Sequence, residues 1–129
     1  MKTISLEDRL EHPIERVWAV ISDITRCDWV PGVDSISAEN DVRTFQMTGI
    51  GEVQERIISL DHQAHRLQYS AIKTPSGVDH HLATIQLSAD PEGGTLLHWT
   101  TEIAPDHFAV AIKPAMSAAL SGLRKVLEN

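Results

Sequence analysis

The sequence predicts an α+β fold, because a long series of strand-like segments is followed by a single long amphipathic helix. Between residues 33 and 104, apolar and polar side chains alternate in short segments that turn residues separate. After residue 106, apolar side chains recur every three or four positions up to Leu127. An antiparallel sheet with one apolar face needs a covering layer, and this helix can supply it. We therefore expect a seven-stranded antiparallel sheet curled around the C-terminal helix, with one or two short helices between the first two strands.

Length and composition indicate one domain that spans residues 1–129. A chain of 129 residues can bury about two-thirds of its unfolded surface, which is enough for a core and a modest internal cavity. The content of 42% hydrophobic and 22% charged residues is ordinary for a globular domain. Disordered and fibrous classes are therefore not expected.

The net charge and the lack of long apolar segments indicate which partners and which cell compartment to expect. The net charge is −7, and no cluster of Lys and Arg is available to neutralise phosphates, so nucleic acid is not an expected partner. No segment approaches the ~20 apolar residues of a membrane span, and charged residues interrupt the N-terminal segment where a signal peptide needs an apolar stretch. We expect a cytoplasmic protein whose one cysteine, Cys27, is an inert, buried or half-buried thiol.

Two patterns near the N-terminus predict the first strand and the first helix. Residues 2–11 alternate like a strand, and Pro13 then suits the first position of a helix. Apolar residues follow at helical spacing, namely Ile14, Val17, Trp18, Ile21 and Ile24. Asp8 lies between Leu6 and Leu10 on the apolar side of the strand. It either joins a polar group inside the domain or lies beyond the edge of the sheet.

Six further strands are predicted from alternation between short turns. Their bounds are 33–39, 42–48, 51–61, 65–73, 78–89 and 94–104. Pro, Gly, Asn and Asp mark the turns between them. Because the connections are short, sequential strands should pair antiparallel as a meander.

The C-terminal helix contains one irregular position. Asp106 is a candidate N-cap, and Pro114 interrupts the apolar pattern that follows it. We expect either a kink at Pro114 or a helix whose first residue is Pro114. Small residues between Ala115 and Gly122 would let one face of this helix approach the sheet closely.

Several short motifs stand in a consistent order along the whole chain. They are Pro13 with Val17-Trp18 in the first helix, Asp23 and Trp29-Val30-Pro31 in the next loop, Glu55-Arg56-Ile57 in the fourth strand, Leu67-Gln68-Tyr69 in the fifth and Leu97-His98-Trp99 in the seventh. Together they resemble the START-like helix-grip superfamily, and most closely its polyketide cyclase/dehydrase-like (SRPBCC) branch. The resemblance implies a deep cavity between sheet and C-terminal helix, which the superfamily uses for lipids, hormones, aromatic polyketides and other apolar molecules. His81, where relatives more often carry an aromatic residue, and Pro114 depart from the pattern.

The adjacent histidines His80 and His81 must point to opposite faces of their strand. The face that contains His81 continues through Ala83, Ile85 and Leu87, and it is the more apolar of the two. His81 should therefore face the interior and His80 the solvent.

Glu55, Tyr69 and His81 are predicted to form a polar row across the inner face of the sheet. Alternation places Tyr69 inside on the fifth strand. On the fourth strand we prefer the parity with Glu55 inside, because the other would bury Arg56 and because the resemblance favours Glu55. Counting back from the turns places Tyr69 opposite His81 and Glu55 opposite Tyr69, with paired side chains about 5 Å apart.

Apolar side chains should form the walls around this polar row. The candidate ligand-binding residues are Trp29, Phe45, Met47, Ile57, Ile85, Trp99, Phe108, Ile112 and Met116. The leading prediction is a protein that binds a small, largely apolar organic molecule, such as a polyketide, aromatic or lipid-like compound, without a cofactor. No histidine spacing fits a closed metal site, and the sequence leaves open whether the chain forms a homodimer.

Two other functions stay open. Burial raises the pKa of a carboxyl group and lowers that of a histidine, so Glu55 and His81 could divide acid and base roles while Tyr69 donates a hydrogen bond to a carbonyl oxygen. This would make the protein a cofactor-free cyclase or dehydratase. Alternatively, the outer sheet face, which carries His80 and Leu96 among others, could bind another protein as a co-chaperone-like interaction module.

Overall fold

Seven strands form one antiparallel sheet in the computed structural model of this protein, which describes residues 1–129. The strands are β1 (Lys2–Leu10), β2 (Ile36–Glu39), β3 (Val42–Met47), β4 (Gly51–Asp61), β5 (Arg66–Lys73), β6 (His80–Ala89) and β7 (Thr95–Ala104). The helices are α1 (Ile14–Ile21) and α2 (Ala109–Leu127), and a 3-10 turn at Asp106–Phe108 precedes α2. The predicted α+β architecture is confirmed, with one short helix between β1 and β2.

The strand order across the sheet is β1-β7-β6-β5-β4-β3-β2. The strands from β2 to β7 form the expected meander, because each short turn returns the chain beside the strand it has just left. β1 pairs antiparallel with β7 at the opposite edge, since α1 and the loop after it carry the chain across the sheet. β2 begins at Ile36, later than predicted. Gly32 adopts a φ of 80°, and Val33 packs against Phe45 and Val53 before the strand begins.

Two apolar clusters fill the space on the inner side of the sheet. The larger combines α1, the inner faces of β5, β6 and β7, and the C-terminal half of α2. The smaller consists of Val33, Phe45 and Val53, with partly buried Cys27 packed against it. No residue of α2 before Met116 is fully buried, and in this half of the helix only Ile112 packs against the larger cluster.

The start of α2 contradicts one of the two alternatives that the sequence suggested, a helix whose first residue is Pro114. The helix begins at Ala109 and continues through Pro114. Pro114 has no backbone N–H to donate to the carbonyl oxygen of Val110, four residues earlier. Val110 is 82% exposed, so water can donate to that oxygen instead. Asp106 does not cap the helix with its side chain; its carboxylate lies 2.8 Å from the amino group of Met1 instead. Neither helix is long and apolar enough to cross a membrane.

Among the small residues of α2, Gly122 allows a close approach to the loop between α1 and β2. A Cβ atom on Gly122 would lie 2.2 Å from the carbonyl oxygen of Trp29, in the loop between α1 and β2. Only glycine fits at this distance, so Gly122 lets α2 press against the loop that carries Trp29.

Asp8 lies outside the interior. Its Oδ2 forms an ion pair with Arg124 Nη2 of α2 at 2.6 Å, and its side chain is 44% exposed. The Arg124 guanidinium also holds the pKa of Asp8 below its usual range. Asp8 therefore joins β1 to α2 at the edge of the sheet.

Candidate functional site

A cavity of about 330 Å³ lies between the inner face of the sheet and the N-terminal half of α2. Thirty residues line it, and 22 of them are hydrophobic. They come from the end of α1 and the loop after it, from β2 to β7 and two of their connections, from the 3-10 turn and from α2. Both the volume and the mainly apolar lining are typical of sites for small organic molecules.

All the predicted wall residues except Ile57 line this cavity. Those that do are Trp29, Phe45, Met47, Ile85, Trp99, Phe108, Ile112 and Met116. Ile57 has the predicted inward parity on β4 but packs against the larger apolar cluster. Ile57 lies two residues beyond Glu55 along β4, where side chains of the larger cluster surround it. Its assignment to the cavity wall was therefore wrong.

Glu55, Tyr69 and His81 all line the cavity, but they do not face one another directly across the strands. Tyr69 pairs with Ala83 and Ile57, and Glu55 pairs with Ala71, so the predicted register was wrong. Both observed partners of Tyr69 lie two residues beyond the predicted ones, which keeps the parity of each strand, and β5 pairs with β6 only from Arg66 to Tyr69. The three polar side chains are therefore arranged diagonally, with 6.0 Å between the ring centres of Tyr69 and His81.

His81 occupies the place where β5 and β6 separate. Beyond Tyr69 the backbone ladder ends, and the N–H of Ala71 donates to Nδ1 of His81 at 2.9 Å. The Ser70 hydroxyl also donates to the carbonyl oxygen of His81. Because Nδ1 accepts a hydrogen bond, the neutral ring carries its proton on Nε2. Burial, assisted by the neighbouring His80, lowers the pKa of His81 to about 4, so the ring is neutral at pH 7.

The sequence analysis missed Arg43, which is the ion-pair partner of Glu55. Arg43 Nε donates to Glu55 Oε1 at 2.8 Å, and each side chain is only 12% exposed. Arg43 Nη1 also donates to the carbonyl oxygen of Ile24 at 3.1 Å, and its guanidinium lies 4.8 Å from the ring centre of Tyr69. Alternation on β3 could have revealed it, because Arg43 shares its face with the predicted wall residues Phe45 and Met47.

Burial controls the protonation of the remaining polar groups. It raises the pKa of Glu55, and Arg43 opposes that rise. It also raises the pKa of Tyr69 far above its usual value, with a further contribution from the negative charge of Glu55. The Trp99 indole opposes the shift at Tyr69, although its Nε1, like that of Trp29, forms no hydrogen bond of regular geometry. Tyr69 is therefore a neutral hydroxyl group at pH 7.

The remaining histidines lie outside the cavity. His80 faces solvent, as predicted, and its Nε2 is 3.0 Å from Glu102 Oε1 on the outer sheet face. His98 Nε2 lies 3.0 Å from the Ser5 hydroxyl on the same face. His62 accepts a hydrogen bond from the Trp18 indole at 3.1 Å. No group of three or more His, Cys, Asp or Glu side chains is arranged to hold a metal ion.

Solved structures from several bacteria share this fold. An uncharacterized protein of Bacillus thuringiensis matches with a TM-score of 0.87 and 21% identity, over 99% of this chain and all of the other. The protein XoxI of Bacillus cereus matches with a TM-score of 0.88 and 22% identity, over 100% of this chain and 97% of the other. A protein of Nitrosospira multiformis matches with a TM-score of 0.81 and 16% identity, over 96% and 94%. At these identities the likeness shows the fold alone.

The sequence profile of one family matches nearly the whole chain. That family is described as "Polyketide cyclase / dehydrase and lipid transport", and the match covers residues 1–128. No curated protein matches the chain by sequence. The fold, the cavity beneath α2 and the profile agree with one another, and this chain belongs to the polyketide cyclase/dehydrase and lipid transport family.

Proposed function

We propose that the protein binds a small, largely apolar organic molecule in the cavity between the sheet and α2. One observation carries the proposal: 22 of the 30 residues around this space of about 330 Å³ are hydrophobic, and Arg43, Glu55, Tyr69 and His81 form a polar group beside it. Apolar walls of this kind bury most of a ligand, and a few polar atoms fix its orientation. The family description, which includes lipid transport, supports the proposal.

The geometry of the polar group favours binding over acid–base catalysis. His81 carries its proton on Nε2, because Nδ1 accepts the Ala71 N–H. A ring in this state donates a hydrogen bond to a ligand and does not remove a proton from it. Glu55 is held in an ion pair by Arg43, which occupies one of its oxygens and opposes the rise of its pKa by burial. Both groups are thus better suited to holding a ligand than to exchanging protons with it.

Ligand access is expected near the N-terminal half of α2. Ala111 and Ala115 line the cavity and are also exposed to solvent. Ile50, in the turn between β3 and β4, lines the cavity as well and is 53% exposed. These residues therefore surround the opening. A filled cavity together with an exposed apolar patch on the outer sheet face would favour an interaction module there, and the cavity is open.

Substitution of Ala115 by Trp tests the proposal. The larger side chain should occupy the opening and weaken binding of N-phenyl-1-naphthylamine, an uncharged fluorescent probe, by at least about tenfold, since it removes apolar contact area. Ala118→Trp is the matched control, because Ala118 is exposed on the same helix and does not line the cavity. Failure of the probe to bind the unmodified protein, or equal binding to the Ala115→Trp protein, would contradict the proposal.

The catalytic alternative has a separate test. A cyclase or dehydratase that used Glu55 and His81 would lose turnover of a polyketide substrate in Glu55→Gln and His81→Ala proteins. A protein that only binds would show weaker binding in these variants and no turnover in any form.

A further inference from the structure

Resting on the proposed function, we infer that the cavity selects uncharged ligands with a hydrogen-bond-accepting oxygen, such as ketones, and excludes carboxylates of the same shape. The specificity device is the ion pair of Arg43 and Glu55, together with the two neutral donors Tyr69 and His81. None of the apolar wall residues can make this distinction, because ketone and carboxylate present the same hydrocarbon surface to them.

The first step of the argument is the charge balance inside the cavity. Arg43 is the only cation among the inward-facing strand residues that line it, and Glu55 neutralises it at 2.8 Å. The other charged residues of the lining are Asp23, which is exposed, and Arg26, which pairs with Asp28 at 2.7 Å. An incoming carboxylate would therefore meet no free cation, and its negative charge would be repelled by Glu55 in a poorly solvated space.

The second step is the direction of the available hydrogen bonds. His81 offers Nε2–H, because its other nitrogen accepts the Ala71 N–H. The Tyr69 hydroxyl donates no hydrogen bond within the protein, and the neighbouring Trp99 indole, which can only donate, is itself without a partner, so the hydrogen of Tyr69 is free for a ligand. With 6.0 Å between their ring centres, Tyr69 and His81 present two neighbouring donors. An acceptor oxygen on the ligand satisfies them, and a pure hydrocarbon leaves them without partners.

Three probes of similar shape test the inference on the unmodified protein. They are 2-acetylnaphthalene, 2-ethylnaphthalene and 2-naphthoate, compared by isothermal titration calorimetry. The ketone should bind about tenfold more tightly than the hydrocarbon and at least about 100-fold more tightly than the carboxylate.

The possible results separate this inference from the proposed function. Equal binding of ketone and hydrocarbon, or binding of the carboxylate within tenfold of the ketone, would overturn the inference and leave the proposed function standing. No binding of any of the three probes, or of N-phenyl-1-naphthylamine, would overturn the proposed function itself.

Variants of the ion pair provide an independent test. Glu55→Gln leaves Arg43 as an unpaired cation, so the preference should reverse and 2-naphthoate should bind more tightly than 2-acetylnaphthalene. The double variant Arg43→Met/Glu55→Gln removes both charges and should lose 2-naphthoate binding again. A folded Glu55→Gln protein that still excludes 2-naphthoate would contradict the inference. If Glu55→Gln does not fold, the inference is tested by the double variant and by the binding of the three probes to the unmodified protein.

A matched control breaks a similar ion pair on the other side of the sheet. Arg56 Nη1 lies 3.2 Å from Asp41 Oδ2, and both side chains are about half exposed. Asp41→Asn therefore leaves an unpaired arginine that does not line the cavity. The order of affinities for the three probes should stay unchanged in this protein, and a reversal like that expected of Glu55→Gln would contradict the role of the buried pair.

Discussion

Arg43 and Glu55 are directly paired neighbours on β3 and β4, and Arg43 Nε donates to Glu55 Oε1 at 2.8 Å on the inner face of the sheet. The carbonyl oxygen of Ile24 accepts a second hydrogen bond from the guanidinium. Desolvation of two charges is costly, and these contacts compensate for it only while both partners are present. The stability of the fold and the electrostatics of the cavity therefore depend on the same pair of side chains.

Arg43→Met should destabilise the protein, because it leaves the Glu55 carboxylate buried without a partner. The expected loss at pH 7.5 is about 3 kcal/mol in the free energy of unfolding. Burial already raises the pKa of Glu55 in the folded state, and without Arg43 it should rise further. Between the pKa of Glu55 in the unfolded state and its higher pKa in the folded state, the folded protein binds more protons. The stability of the variant therefore falls as pH rises through this range. Urea denaturation should show a smaller loss at pH 5 than at pH 7.5.

Arg56→Met is the control for this experiment. Arg56 belongs to an exposed pair with Asp41, and such pairs contribute about 1 kcal/mol or less. A loss as large as that of Arg43→Met, or an Arg43→Met loss that does not depend on pH, would show that ionic pairing in the interior is not the cause.

Protonation of His81 should destabilise the fold in mildly acidic solution. Its pKa is about 4 in the folded protein, against about 6.5 in an unfolded chain. The unfolded state therefore binds more protons between these values, and the contribution of up to about 3 kcal/mol is lost as pH falls from 6.5 to 4. Urea denaturation at a series of pH values measures this slope.

His81→Asn isolates the contribution of the imidazole. The Asn side-chain oxygen can accept the Ala71 N–H in place of Nδ1, and it does not titrate. The variant should lose less stability between pH 6.5 and pH 4 than the unmodified protein. His98→Asn, at an exposed site on the outer face, should keep the original slope; identical slopes in all three proteins would contradict the prediction.

Gly122→Ala should destabilise the protein, although alanine is the better helix former by up to about 1 kcal/mol. The added Cβ would lie 2.2 Å from the Trp29 carbonyl oxygen, so helix α2 or the loop must move. We expect a net loss of about 2 kcal/mol, measured by urea denaturation. Ser121→Ala, at an exposed position of the same helix, should change stability by about 0.5 kcal/mol or less. A more stable Gly122→Ala protein would contradict the close approach.

Asp8→Asn should have little effect on stability and none on the cavity. Asp8 pairs with Arg124, and both side chains are about 40% exposed, so the loss should stay below about 1 kcal/mol. Affinity for N-phenyl-1-naphthylamine should be unchanged, because Asp8 does not line the cavity. A marked change in affinity would place Asp8 in the ligand site.

The roles of the site residues could be anticipated only in part from their positions in the sequence. Alternation assigned His81 to the inner face and His80 to the outer one, whereas on β4 it was indecisive, and Glu55 was preferred because the other parity would bury Arg56 and because the resemblance favoured Glu55. Side-chain direction in a strand depends on local geometry, so residue parity is sufficient to predict it. Arg43 was overlooked although the same rule applies to it, because a buried arginine is plausible only when its partner on the next strand is known.

The sequence by itself determined the α+β architecture, the inward faces of β5, β6 and β7, and the apolar character of the side chains that line the space beneath α2. These properties depend on the period of the pattern along the chain, which neighbouring residues set. Tertiary structure alone decided which side chains meet: the pairing of Glu55 with Arg43, the diagonal placement of Tyr69 and His81, and the Nδ1 contact that sets the protonation of His81. Such contacts depend on strand register, which turn lengths and bulges set, and a bulge also reverses the alternation of its own strand, as between Ile57 and Leu60 of β4.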